Sequence, residues 1–274
     1  AEVATDSPLS AYARVREAVC RARAEGTPES LRALQSLVLG MPGGPAKRMG
    51  QVECAALLAA KNNVRDAVTL YAEALPFGYP TSWGRSLTRT AAEVYIKVPE
   101  YAERGYPLLV EAMRVAPLRR DKAAIAKILA GSPDIAHRLE SIEVLLDAGE
   151  YRDAQLFLLP LLAVFSPTSD EERDRVAYLR SRNLLVGGNP DEGRAELESL
   201  RQRSPDSEWA RKGFASLVRF FLQRQPADEG KTLLKELVRR YPDTVETGDV
   251  LLTYAERLSQ GDDVGAAIAL YLEL

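Results

Sequence analysis

An internal pattern repeated five times constrains this chain more than any other feature. The segments Asn62–Ala67, Gly149–Ala154, Gly188–Gly193, Gln225–Gly230 and Gly261–Ala266 align without gaps. Each begins on a turn-forming or polar residue, runs through mostly acidic ones, and reaches a small residue five positions on. The small positions Ala154, Gly193, Gly230 and Ala266 follow one another at 39, 37 and 36 residues. A period in that range marks a stack of helical hairpins, each too small to bury its apolar face alone. The opening Gly or Asn suits a left-handed helix end, and the acidic residues suit the positive start of the next helix. Four residues after each small position a large side chain returns to the same helical face, at Tyr71, Leu158, Leu197, Leu234 and Leu270. Twelve residues after it, Pro205 and Pro242 open the exit turns Ser204–Ser207 and Tyr241–Thr244. Ser166–Ser169 is a shifted third copy. Proline stops one helix there, and Ser or Thr can cap the next.

The small residue, the large residue four later and the proline twelve later resemble the second-helix half of tetratricopeptide repeats. The match is close over residues 138–274 and looser from about Pro45 to Ala116. The first-helix signature departs from the family. Phe214, Val218 and Phe221 stand where its Trp, Gly and Tyr would fall, and the period exceeds the usual length. Long units of this kind are similar to those of bacterial envelope proteins, including periplasmic tetratricopeptide lipoproteins and the superhelical arm of soluble lytic transglycosylases. The resemblance implies an all-α fold, a right-handed α-α superhelix of roughly 14–15 helices, in a periplasmic or envelope-associated protein.

Three segments follow from the pattern. Residues 1–44 hold an N-terminal helical pair, opened by Ser7-Pro8 and by Thr27-Pro28, and closed by the turn-rich Met41–Pro45. Residues 45–137 hold divergent repeats, in which the interval from Gly105 to Ala154 stretches to 49 residues. An inserted helix near 118–130 accounts for the excess. Residues 138–274 hold regular repeats. The last is incomplete, stopping in its second helix before an exit turn and with no polar cap of the kind a terminal repeat needs.

Composition agrees with helix throughout. Ala, Leu, Arg and Glu dominate, and aromatics reach only 7%. The net charge of −3 gives no general attraction to nucleic acid or anionic membrane. No apolar run approaches the ~18–20 residues of a membrane span. The first residue is Ala1, with no signal segment after it, as expected for a processed or trimmed chain.

Catalytic signatures are lacking. His137 is the single histidine, which excludes a histidine-rich metal site. Cys20 and Cys54 share no metal-ligand spacing; two buried or half-buried free thiols are expected, with a disulfide as the alternative. The glycine pairs Gly43-Gly44 and Gly187-Gly188 lack the preceding strand and the Lys of a phosphate loop. The acidic run Asp170-Glu171-Glu172 belongs to a helix start. No enzyme activity and no cofactor are expected. The aromatic residues Tyr71, Phe77, Tyr79, Trp83, Tyr95 and Tyr101 suit core and turn packing, with Tyr79 and Trp83 as alternative contact residues.

One surface stands out. In a stack of this type the first helix of each pair lines a groove, and its groove positions carry Arg175 and Arg182, then Lys212 and Arg219. Both offsets are 37 residues, and each pair is spaced by seven, about two helical turns. Four cations in register favour an acidic peptide or protein partner, with Arg suited to bidentate carboxylate contacts. The alternative is pairing with nearby Glu and Asp. The leading expectation is thus a non-enzymatic protein-interaction scaffold, with no nucleic acid and no membrane span. The second is a helical arm of a larger cell-envelope enzyme.

Overall fold

A computed structural model describes residues 8–75, 82–224, 228–260 and Gly265. Every element among them is a helix, fourteen in all. The chain divides into two compact units, residues 1–137 and 138–274.

The first unit contains α1 (Pro8–Glu25), α2 (Pro28–Gly40), α3 (Pro45–Ala60), α4 (Val64–Ala74), α5 (Ser82–Tyr95), α6 (Pro99–Val115) and α7 (Arg119–Leu129). Each helix packs on its successor, and α1 also packs on α3. The turn at Met41–Pro45 therefore lies inside this unit. The helix starts obey backbone chemistry. Proline opens α2, α3 and α6, where a missing N–H costs nothing. Thr27 caps α2 by accepting from the Ser30 N–H at 3.2 Å. Tyr71, Leu70, Leu34, Leu109 and Leu129 are among the buried side chains of this unit, and α7 fills the long interval between repeats.

The second unit holds α8 (Ile135–Ala148, its first three residues before the division), α9 (Tyr151–Val164), α10 (Asp170–Gly187), α11 (Pro190–Arg203), α12 (Glu208–Leu222), α13 (Asp228–Arg240) and α14 (Val245–Gln260). Its packing alternates. Helix α10 touches α11 and α12, and α12 touches α13 and α14. First helices thus stack on first helices, with second helices beside them, which is the arrangement of a tetratricopeptide-like solenoid.

The recurring positions do what their chemistry requires. Asn62, Gly149 and Gly188 all take positive φ, at 64°, 82° and 110°. The small positions Ala67 and Ala154 are fully buried, and Gly193 and Gly230 are buried too. A methyl group on Gly230 would lie 2.5 Å from the Leu222 backbone nitrogen, and one on Gly193 2.7 Å from the Ser181 carbonyl oxygen. These contacts are to backbone, so the second helix lies directly on the first. Tyr71, Leu158, Leu197 and Leu234, four residues on, are all buried. At the exit turns, Ser169 and Ser207 cap α10 and α12 at 3.1 Å, and the Tyr241 hydroxyl donates to the Pro205 carbonyl at 2.6 Å. That bond joins two successive copies of the same turn.

Phe77, Tyr79, the Trp83 side chain, Ala266, Leu270 and the final second helix lie outside the described residues. Tyr71 and Tyr95 are core residues, and Tyr101 packs against them at the core's edge. Among the described residues no helix is long and apolar enough to cross a membrane.

Candidate functional site

The four cations singled out above occupy one face of the second unit, and each has a carboxylate partner. On α10, Arg175 donates to Glu143 of α8 at 3.2 Å. Two turns on, Arg182 donates to Asp147 of α8 at 2.6 Å and to the Tyr178 hydroxyl at 3.0 Å. On α12, Lys212 donates to Glu208 at 2.9 Å and to the same Glu143 at 3.0 Å. Two turns on, Arg219 faces Asp249 of α14 at 3.7 Å.

The structure thus sorts the four into two levels. At the first, one carboxylate of α8 serves cations from both α10 and α12, so three first helices meet at Glu143. Trp209 lies within this level, 6% exposed, with the Arg175 guanidinium 5.0 Å and the Lys212 ammonium 4.5 Å from its ring centre. Its ring is tilted against Tyr178 at 5.7 Å. Burial by itself would lower the Lys212 pKa, but its hydrogen bonds to Glu208 and Glu143 outweigh that and raise it. The bond from Lys212 holds the Glu208 carboxyl below its usual range. At this level, among the described residues, the buried indole Nε1 of Trp209 and Nε of Arg175 have no partner.

The second level is open. Arg182 and Arg219 line a small groove of about 120 Å³, together with Tyr151, Ser216, Phe220 and Gln223. Asp147 and Asp249 are each more than half exposed, so solvent screens both pairs. Arg219 is the more loosely held of the two. A groove with two guanidiniums, a hydroxyl, an amide and two aromatic rings can hold a carboxylate and the chain that carries it.

Pairing with Glu and Asp is the alternative reading of these cations from the sequence, which leaves the partners unnamed. Glu143 and Asp147 precede Arg175 and Arg182 by 32 and 35 residues, close to one repeat, and that spacing was the available signal. The other chemistry-bearing residues have structural surroundings. His137 Nδ1 lies 3.1 Å from the Ser132 hydroxyl. Both cysteines are free, and Cys54 is buried as expected, but Cys20 is exposed, on the outer face of α1. Burial, and then the charge of Asp66, push the Cys54 thiol up to about 11. Among the described residues no cluster of His, Cys, Asp and Glu is placed to hold a metal ion.

No protein-family model matches the chain, and no curated protein does. Among solved structures, the apo form of the quorum sensor NprR from B. thuringiensis is similar at 14% identity and a TM-score of 0.35, over 96% of this chain and 84% of that one. At that level the likeness adds nothing to what the helix packing shows, and no function is taken from it.

Proposed function

We propose that this chain is a non-enzymatic scaffold that holds an acidic peptide or protein segment against the first-helix face of its second unit. The observation that carries the proposal is the groove between α10 and α12, where Arg182 and Arg219 arrive from successive repeats. Asp249 holds Arg219 loosely at the surface, whereas Arg182 is only 18% exposed and is held by Asp147 and the Tyr178 hydroxyl. An incoming carboxylate can replace Asp249 at Arg219, exchanging one screened ion pair for another beside Arg182, while its backbone packs on Tyr151 and Phe220. Envelope location belongs to the same proposal and rests on the likeness of the long repeats to envelope proteins.

The test is anisotropy of labelled Glu-rich peptides with the wild-type protein and with an Arg182→Glu, Arg219→Glu variant. Binding should weaken as salt rises and fall at least about tenfold in the variant, about 1.4 kcal/mol. Undiminished binding by the variant would remove the groove from the proposal.

A further inference from the structure

The first unit carries a cleft of about 650 Å³ that the repeat pattern did not anticipate. It arises from two equivalent turns. Gly26 and Asn62, at φ 61° and 64°, end α1 and α3, so that α2 and α4 set off from neighbouring corners. Between them Leu31 of α2 and Leu58 of α3 form an apolar floor, only 7% and 5% exposed, with Pro28 as a wall. The volume is that of a site for a small organic molecule, and an apolar floor under a few polar groups is the usual lining of such sites.

The lip carries Arg32 and Lys61 against Asp66, with Glu29 beside Arg32. Arg32 is held by Glu29 at 3.1 Å, and Asp66 accepts from the Asn63 carboxamide at 2.7 Å. Lys61 has no side-chain partner among the described residues. Its ammonium lies over Gly26, where an added methyl group would stand 3.6 Å from Nζ. Gln35 also lines the cleft, and its amide is likewise unpaired. Lys61 and Gln35, without side-chain partners among the described residues, thus stand above an apolar floor, with Asp66 on the same lip.

We propose that this cleft binds a small organic carboxylate with an apolar body, its carboxylate on Lys61 and Gln35 and its body on Leu31 and Leu58. The chemistry is shared by a free small acid and by the apolar C-terminus of a peptide. The site is independent of the groove on the second unit.

The experiment is a methyl NMR titration following Leu31 and Leu58, with N-acetyl-leucine, its neutral amide, and N-acetyl-Gly-Gly-Leu. Both acids should give saturable shifts, with a Kd on the order of millimolar for ligands this small. The tighter of the two identifies the source, and either order supports the site. Lys61→Gln should weaken binding about tenfold while Lys61→Arg retains it, since the lost element is a charge-assisted hydrogen bond. Lys61 is exposed, so unshifted Leu31 and Leu58 signals in the free variants will show an intact floor. The proposal is overturned if neither acid gives a saturable shift, if the amide binds as well as the acid, or if Lys61→Gln binds like the wild type.

Discussion

At the scale of single residues, the small position of each repeat is where the fold is least forgiving. Gly230 meets the Leu222 and Phe221 backbone at 2.5 to 2.8 Å from where a Cβ would be, and backbone cannot swing aside as a side chain can. Gly230→Ala should therefore destabilise by about 1–3 kcal/mol through overpacking, although alanine favours helix. Gly187 makes a clean control, because nothing lies within 4 Å of its added Cβ. Urea unfolding of both variants would decide it. If the two are equally stable, the close approach of α12 and α13 is not what Gly230 provides. The site is legible at this scale only by half. Cations are visible in a sequence because their register repeats. Whether each is free or neutralised depends on which neighbouring helix faces it, and the carboxylates at Glu143 and Asp147 belong to a different element.

At the scale of elements, helix starts carry most of what local sequence can say. The Ser169-Asp170-Glu171-Glu172 run opens α10 as a capping box. Ser169 accepts from the Glu172 N–H, while the Glu172 carboxylate accepts from the Thr168 N–H and hydroxyl, both at 2.8 Å. The Thr168 N–H bond, then its hydroxyl, hold the Glu172 carboxyl below its ordinary pKa against a smaller opposing effect of burial, with the Ser169 N–H also lowering it. A carboxyl whose folded pKa is depressed stabilises above its unfolded value, and that contribution is lost as pH falls through the folded one. Glu172→Gln should thus destabilise at neutral pH and make no difference once the pH is below the folded value. Thermal unfolding of the variant and wild type at pH 7 and in acid would show this. An equal penalty at both pH values would mean that the charge of Glu172 does not support the cap. The helix start expected of the acidic run is where the structure places it.

At the scale of the whole molecule, successive repeats are tied by charge at nearly one repeat's spacing. Arg182 to Asp147, Arg194 to Glu229, Arg201 to Glu236 and, in the first unit, Arg65 to Glu100 each join residues 35 apart. Glu143 goes further, joining α8 to α12 across 69 residues through Lys212. It is 17% exposed and accepts from two cations, so Glu143→Gln should cost about 1–3 kcal/mol, more than loss of an exposed pair. The penalty should shrink in an Arg175→Met background, where one of the cations that Glu143 neutralises is already gone. Additive penalties in denaturant unfolding would show that the two do not act together.

The features legible in the chain alone are local and periodic. The helices, their caps, the left-handed turns at Asn62, Gly149 and Gly188, and the small and large positions of each hairpin all follow from residues within one repeat, because backbone geometry and helical spacing are short-range. Only the tertiary structure decided the rest. It placed Trp209 between Arg175 and Lys212, gave all four cations their carboxylates, left Arg182 and Arg219 on a groove, and set Lys61, without a side-chain partner among the described residues, above an apolar floor. Those outcomes depend on distances between side chains a repeat or more apart, which packing settles and which no single repeat encodes.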